Sequence, residues 1–259
     1  MMIIKDLEEL ELMKKSADLV GRTLGEVSKV LKPGVLAKDL DHIAEEYIRD
    51  NGGTPSFKNY NGYPATLCIS INDVVVHGIP KDQVIKEGDI VSVDCGAFLN
   101  GYCGDYAYTF IIEPVDENVR KLVKVTLESL YKGIEQAIAG NKTGDIGFAI
   151  QLYVERNGFS VVRELVGHGI GKAMHEYPQV PNYGKKGKGH LLEDGMVICI
   201  EPMINMGKKE VVFDESDGWT VRTKDHKPAA HFEHMVWINE KKSVILSTYN
   251  YIDEKWKVN

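Results

Sequence analysis

Cysteine is scarce in this sequence, and so are long apolar runs and any excess of positive charge. Four cysteines in 259 residues, none of them in a Cys-x-x-Cys pair, are too few for a disulfide scaffold, so reduced thiols are expected. No segment approaches the roughly 18 apolar residues of a membrane-spanning helix. The formal net charge of -7 argues against specific nucleic-acid binding, because proteins that bind phosphates usually carry a basic excess.

The amino terminus also lacks the features of a secretion signal. Its few apolar residues are followed at once by acidic ones, with neither a basic start nor a long apolar stretch. We therefore expect a cytoplasmic protein with no membrane partner. The one compact basic run, Lys185-Lys186-Gly187-Lys188, is interpreted as a solvated loop, with contact to an anionic partner as the alternative.

What the sequence does contain is an α+β pattern that occurs twice. Apolar residues recur at steps of three and four from Asp6 to Leu31 and again from Val119 to Ile138, and a shorter predicted helix follows each time. The glycines that bound the short helices are equally spaced, at Gly34 and Gly52 in one half and at Gly140 and Gly158 in the other. The repetition predicts two halves, about 6–110 and 116–247, related by a pseudo-twofold axis within one catalytic domain, 1–259.

A carboxylate ends an apolar strand in each half. The strands run from Gly88 to Asp94 and from Gly195 to Glu201, and Asn100-Gly101 is a hairpin signal that places Asp105 on a strand paired with that of Asp94. A buried carboxylate is costly without a partner, and a salt bridge or a turn cap is one explanation for it. A His-Gly-Ile motif precedes the strand in both halves, at His77 and His168, and this repetition favours a metal site.

Charge counting points to two metal ions. The candidate ligands are Asp94, Asp105, His168, Glu201 and Glu233. With a neutral imidazole these side chains carry a charge of -4, which two divalent ions balance. An oxygen-rich set with one imidazole suits Mn, Fe, Co or Zn, and the absence of thiolates argues against a structural zinc site. His77 and His175 are candidates for donors to a substrate carbonyl or amide, although a lone histidine is more often a core or surface group.

Several strings, taken together, resemble the type I methionine aminopeptidases. They are Val76-His77-Gly78-Ile79-Pro80, Val93-Asp94-Cys95-Gly96, Gly104-Asp105, Gly167-His168-Gly169-Ile170-Gly171, Met174-His175-Glu176, Ile200-Glu201-Pro202-Met203 and Phe232-Glu233-His234. The resemblance extends from about Asp6 to about Ser247 and implies the pita-bread fold, which prolidases and creatinase share. The short stretch between Glu201 and Glu233 has no room for the type II insertion, so the bacterial-style form with a catalytic domain only is implied.

The resemblance also implies residue roles. It makes Asp94, Asp105, His168, Glu201 and Glu233 the ligands of two divalent ions (Co, Mn, Fe, Zn or Ni), with Asp105 and Glu233 bridging them. His77 and His175 match histidines that contact the substrate around the scissile bond. The methionine pocket is implied at Phe57, Tyr60, Tyr63, Cys68, Met174 and Trp219. A monovalent cation is implied near Asn72 and Val74.

The implied reaction removes the N-terminal methionine from peptides and nascent proteins, with a small second residue preferred. A hydroxide bridging the ions would be the nucleophile, Glu201 would shuttle the proton, and His175 would stabilise the oxyanion while His77 contacts the amide nitrogen. We expect a monomer. Transient contact with the ribosome through Lys185–Lys188 or Lys208–Lys209 is left open.

Three rival functions were weighed. An Xaa-Pro peptidase of the same fold would use the same ligands, but the stretch from Tyr60 to Cys68 matches a methionine pocket. A non-catalytic interaction protein on this fold is disfavoured because all five candidate ligands are present. A di-metal phosphatase is disfavoured because arginine and lysine are lacking from the site motifs.

Overall fold

The computed structural model describes residues 3–4 and 6–258. Met1, Met2 and Lys5, part of the amino-terminal stretch interpreted above, lie outside the described residues, as does Asn259 at the end of the predicted domain. The helices are α1 (Leu7–Val30), α2 (Ala37–Asp50), α3 (Glu117–Ile134) and α4 (Thr143–Arg156). The strands are β1 (Thr54–Pro55), β2 (Leu67–Ile71), β3 (Val74–Val76), β4 (Ile90–Leu99), β5 (Tyr102–Ile111), β6 (Ser160–Val161), β7 (Gly167–Gly169), β8 (Glu176–Val180), β9 (Val197–Ile200), β10 (Met203–Asn205), β11 (Val211–Phe213), β12 (Val221–Thr223), β13 (Ala229–His231), β14 (His234–Trp237) and β15 (Val244–Ile245).

The helices lie where the sequence predicts, except that α3 ends at Ile134, before the predicted end at Ile138. The Asp6 side chain accepts a hydrogen bond of 2.9 Å from the backbone N–H of Glu8, which caps the start of α1. Its buried residues repeat at steps of three and four, so one face of α1 packs on the sheet beneath it. The predicted long and short helices of both halves are therefore confirmed.

Matching contacts occur in the two halves. The backbone N–H of Gly34 donates to Ile85 O over 2.8 Å, and that of Gly140 donates to Leu192 O over 2.9 Å. Both glycines have φ near +90°, which side-chain-bearing residues rarely adopt. At the other end of each short helix an asparagine amide donates to the carbonyl four residues earlier, Asn51 to Tyr47 over 2.8 Å and Asn157 to Tyr153 over 2.9 Å.

The strands form four sheets within the described residues. The first contains β1, β2, β4 and β5, with β4 pairing with the other three, and the largest has the order β15-β14-β9-β7-β8. Two smaller sheets have the orders β13-β10-β6 and β11-β12-β3. The predicted hairpin is confirmed, because Asn100 (φ 54°) and Gly101 (φ 89°) connect β4 to β5.

The helices cover the sheets and exclude water from a continuous apolar core. Residues of all four helices contribute to it, together with the inward faces of β4, β5, β9 and β14. All four cysteines are buried and free. Among the described residues, no helix combines the length and the apolar composition that crossing a membrane requires.

The helix α1 lies unusually close to β5 at Gly104. A β-carbon placed on Gly104 would lie 2.5 Å from the carbonyl carbon and oxygen of Ser16, which are backbone atoms that cannot rotate away. Ser16 adds to this contact, since its hydroxyl lies 2.9 Å from Leu99 O and 3.0 Å from Tyr102 O. Glycine at position 104 therefore allows α1 to approach the strand that carries Asp105.

We expect Gly104→Ala to lower the free energy of unfolding by about 1–3 kcal/mol, because the added methyl group forces α1 away from β5. Thermal unfolding should show a loss of about 2–4 °C for each kcal/mol in a chain of this size. The control is Cys103→Ala, which shortens the neighbouring side chain without adding an atom against α1. A Gly104→Ala protein as stable as Cys103→Ala would show that the close approach does not constrain the fold.

Candidate active site

A pocket of about 720 Å³, open to solvent, lies between the two halves. One side is lined by the predicted ligands Asp94, Asp105, His168, Glu201 and Glu233. The other side is lined by Phe57, Tyr60, Tyr63, Cys68 and Trp219, with His77 and His175 between the two groups.

Two of the carboxylates come from the β4–β5 hairpin. Asp94 pairs with Ala107 and Asp105 pairs with Gly96, so the two aspartates are two residues out of register. Since side chains alternate across a strand, this offset places both carboxylates on the same face of the sheet. The predicted pairing of their strands is confirmed.

The other three ligand candidates come from the second half. His168 lies in the middle of β7, Glu201 directly follows β9, and Glu233 lies between β13 and β14. The backbone N–H of Glu233 donates to Ala107 O over 3.1 Å, which joins it to the strand of Asp105. The Tyr249 hydroxyl lies 2.8 Å from the carbonyl oxygens of both Ala107 and Glu233, so residues of both halves hold this position.

The ligand atoms of these side chains lie within a few ångströms of one another. His168 Nε2 is 3.5 Å from Glu201 Oε1 and 3.7 Å from Asp105 Oδ2. The ligand atoms of Asp105, His168, Glu233 and Cys199 all lie within 4.8 Å of one another. The sequence did not predict Cys199 as part of the site, although it lies two residues before Glu201 and alternation puts both on one face of β9.

The electrostatics of the cluster favour binding of a cation. Burial raises the pKa of Asp105, Glu201 and Glu233 well above the usual range, and repulsion by neighbouring carboxylates adds to each shift. Burial also raises the pKa of Asp94. A hydrogen bond from the backbone of Cys95 lowers that pKa, but by less than burial raises it. Without a partner of opposite charge, several buried carboxylates at this distance repel one another.

Unsatisfied oxygen atoms give an independent test of a metal site. Asp94 Oδ1, Asp105 Oδ1 and Glu233 Oε1 are buried and have no hydrogen-bond partner among the described residues. Such atoms are rare in folded proteins and mark places where an ion or water completes the structure. Carboxylate oxygens with one imidazole are a suitable donor set for a divalent transition metal. The residues present therefore fit such an ion.

The protonation of His168 agrees with a ligand role. Its Nδ1 lies 2.9 Å from the carbonyl oxygen of Gly169, which can only accept, so Nδ1 carries the hydrogen. Nε2, which faces the carboxylates, then has a free lone pair. Burial lowers the pKa of His168 to about 3, so the ring is neutral at physiological pH.

The apolar side of the pocket is aromatic. Tyr63 and Trp219 meet edge to face with ring centroids 5.1 Å apart, and Phe57 and Cys68 are buried beside them. Met174, predicted as part of this wall, is 4% exposed and packs in the same apolar cluster behind it, and it does not line the pocket. Val76, Leu165, Val166 and Met203 do line the pocket. Each lies within three residues of a predicted site residue, which is the one sequence signal that could have found them.

The two further histidines lie at the mouth of the pocket. His175 Nδ1 is 2.9 Å from the Tyr60 hydroxyl, and the His175 ring meets that of His168 at an angle of 68°, with centroids 4.3 Å apart. His77 has a φ of 57°, an uncommon backbone conformation for a non-glycine residue. Burial, and then the proximity of His175, lowers the pKa of His77 to about 4.

Comparison with known proteins gives a consistent result. The profile of metallopeptidase family M24 matches residues 11–240. The chain is 52% identical to a methionine aminopeptidase of Clostridium acetobutylicum over 95% of this chain and 99% of that protein. A solved methionine aminopeptidase of Thermotoga maritima superposes with a TM-score of 0.92 at 46% identity, covering 95% of this chain and all of that one. A prolidase of Pyrococcus horikoshii, at 22% identity and a TM-score of 0.77 over 95% of this chain and 63% of that one, shares the fold.

Proposed function

We propose that this chain, which belongs to metallopeptidase family M24 and within that family to the methionine aminopeptidases, uses the pocket described above for the metal-dependent removal of N-terminal methionine. It has the α+β pita-bread fold that the sequence predicted. The observation that carries the proposal is the set of partnerless, buried carboxylate oxygens facing an aromatic wall across one pocket. We further propose that residues 1–259 form one catalytic domain.

The five clustered side chains would hold two divalent ions, with Asp105 and Glu233 each serving both. Their combined charge of -4 balances two such ions and leaves little preference among Co, Mn, Fe, Zn and Ni. When bound, the ions supply Lewis acidity and lower the pKa of a coordinated water from about 15.7 to about 7. Cys199 is a neighbour of Glu233 in this cluster. Burial, and then the charge of Glu233, raise the pKa of the Cys199 thiol well above its usual range.

The aromatic wall would receive the methionine side chain. Tyr60, Tyr63 and Trp219 offer flat apolar surfaces, and Cys68 adds a small polarisable atom beside them. A thioether packs well against aromatic rings, which suits methionine in particular. The free amine of the substrate would lie toward Asp94, at the opposite end of the same opening, so that only the first residue of a peptide fits.

Proton transfer is assigned to Glu201. Its carboxylate lies at the edge of the cluster and is partly accessible from the pocket, with 14% of the side chain exposed. Burial raises the pKa of Glu201, which favours a group that first takes a proton from the attacking water and then delivers it to the leaving amine. This is the general base and acid role expected from the sequence.

His175 and His77 are assigned to the reacting carbonyl and amide. A Tyr60 hydroxyl that donates to His175 Nδ1 keeps the ring proton on Nε2, which makes Nε2 a donor for the developing oxyanion. His77 would contact the amide nitrogen of the scissile bond. The strained backbone of His77 is consistent with a functional position, because such conformations persist where the surrounding structure enforces them.

Three further assignments concern partners and ions. We propose peptide N-termini and nascent chains as substrates of a cytoplasmic monomer, with the exposed lysines of Lys185–Lys188 or Lys208–Lys209 available for transient ribosome contact. A monovalent cation near Asn72 and Val74 would use backbone oxygens. The turned backbone of Asn72, which has a φ of 55°, supports this site.

The deciding experiment measures release of the first residue from Met-Gly-Met-Met, Lys-Gly-Met-Met and Met-Pro-Gly by metal-free protein titrated with Mn, Co and Fe. We expect methionine release that requires metal and no release of lysine, because the aromatic wall has no carboxylate to pair with a buried ammonium group. Release from none of the peptides with any of the three metals would contradict the proposal and favour a non-catalytic role.

A further inference from the structure

Behind Glu201 lies the buried imidazole of His231, which has no role in the proposed reaction. His231 is 2% exposed, and its Nε2 atom has no hydrogen-bond partner among the described residues. A buried polar atom left without a partner destabilises a fold by about 1–3 kcal/mol. An apolar residue would avoid that loss, so the presence of an imidazole here suggests that Nε2 acquires a partner in the working protein.

The nearest candidate partner is the carboxylate of Glu201. His231 Nε2 lies 4.0 Å from Glu201 Oε2, while the other oxygen, Oε1, lies 3.5 Å from Nε2 of His168. The two oxygens of this carboxylate therefore face different imidazoles. Oε1 faces the proposed metal ligands, and Oε2 faces His231.

The backbone of His231 is held firmly on both sides. Its N–H donates to Thr109 Oγ1 over 3.1 Å, and the Thr109 hydroxyl lies 2.6 Å from the His231 carbonyl oxygen. Ser92 Oγ, 2.8 Å from Thr109 Oγ1, extends this buried network. His231 also pairs across β13 and β10 with Met203, two residues beyond Glu201. These hydrogen bonds fix the backbone that bears the His231 ring, and the pairing of β13 with β10 fixes the residues that follow Glu201.

We propose that His231 is a positioning residue for Glu201, donating from Nε2 to Oε2 so that Oε1 stays directed at the metal site. A carboxylate only accepts hydrogen bonds, so the imidazole presents its N–H to it. The gap must shorten by about 1 Å, a change of the kind that catalytic contacts undergo when substrate or metal binds. A carboxylate that must both bind metal and carry a proton needs such a fixed orientation. The inference rests on the proposed function.

The test compares His231→Met, which fills the site without a donor, with His231→Gln, which restores one. His190→Met is the matched control, because His190 also has a buried, partnerless Nε2 but lies outside the pocket. Each protein is loaded with Co(II), and its visible absorption spectrum, its thermal unfolding, and kcat and KM for Met-Gly-Met-Met are measured.

We expect an altered Co(II) spectrum and a kcat about tenfold lower in His231→Met, with KM within about twofold of the unmodified chain. His231→Gln should recover both, and His190→Met should change neither. A His231→Met protein with the original spectrum and kcat would overturn the inference. So would equal impairment of both His231 variants with parallel losses of thermal stability, which would mark a structural role. If the unmodified chain releases no methionine, the proposed function fails, and the Co(II) spectra alone decide the role of His231.

Discussion

Asp105→Asn should abolish metal-dependent methionine release while leaving the metal-free protein at least as heat-stable as the unmodified chain. Both effects have the same cause. In the metal-free state burial, and then repulsion by Glu233, Asp94 and Glu201, raises the pKa of Asp105, so a neutral amide of the same shape relieves the cluster. Within the described part of the chain no side-chain hydrogen bond opposes the change, because Asp105 Oδ1 has no partner there and Oδ2 is 3.7 Å from His168 Nε2.

The measurement is thermal unfolding in chelator and in excess Mn or Co, alongside methionine release. The unmodified chain should gain stability with metal, since a ligand that binds only the folded state stabilises it by mass action. Asp105→Asn should gain little, and its metal-free Tm should rise by about 2–4 °C for each kcal/mol of repulsion removed. Asp82→Asn, at an exposed aspartate paired with Lys38, is the control for the amide substitution. An Asp105→Asn protein that keeps both metal stabilisation and activity would refute the bridging assignment.

The parts of the fold that the sequence predicts are those set by local chemistry. The short helices could be placed because Gly34 and Gly140 adopt a backbone that other residues avoid, and the hairpin because Asn100-Gly101 favours one type of turn. The strand pairing then put Asp94 and Asp105 on one face of a sheet. The internal sequence repeat then predicted the corresponding part of the site in the second half of the chain.

Other features depend on contacts between distant residues and could not be read from spacing. The segment after β15 packs across α1, with the Tyr251 hydroxyl 2.6 Å from Asp18 Oδ1 and Trp256 Nε1 2.8 Å from Ser28 O. No periodicity marks this segment, and the family resemblance ended before it. The role of His231 could not be read from spacing either, since only the folded chain shows that its ring faces Glu201.

His175→Ala should lower kcat by about 10²–10³ while KM changes far less, because a donor to the developing oxyanion is needed most in the transition state. The ring lies at the pocket mouth, and burial of its covered part lowers its pKa, so it acts as a neutral donor. By donating to Nδ1, which lies 2.9 Å away, the Tyr60 hydroxyl would hold the ring proton on Nε2. Tyr60→Phe should therefore reduce kcat in the same direction by about tenfold, as loss of a residue that orients a catalytic group does.

Steady-state kinetics on Met-Gly-Met-Met with metal-saturated protein separates this role from simple binding. His42→Ala, at an exposed histidine on α2 whose Nε2 lies 3.3 Å from Glu46 Oε1, serves as the control and should behave as the unmodified chain. If His175→Ala raised KM and left kcat unchanged, the side chain would bind substrate and transition state equally well. If His175→Ala had its full effect and Tyr60→Phe had none, His175 would still be the donor to the oxyanion. Tyr60 would then not control which nitrogen of that ring carries the proton. Equal losses in both variants would instead mean that the ring contributes only when Tyr60 holds its proton on Nε2.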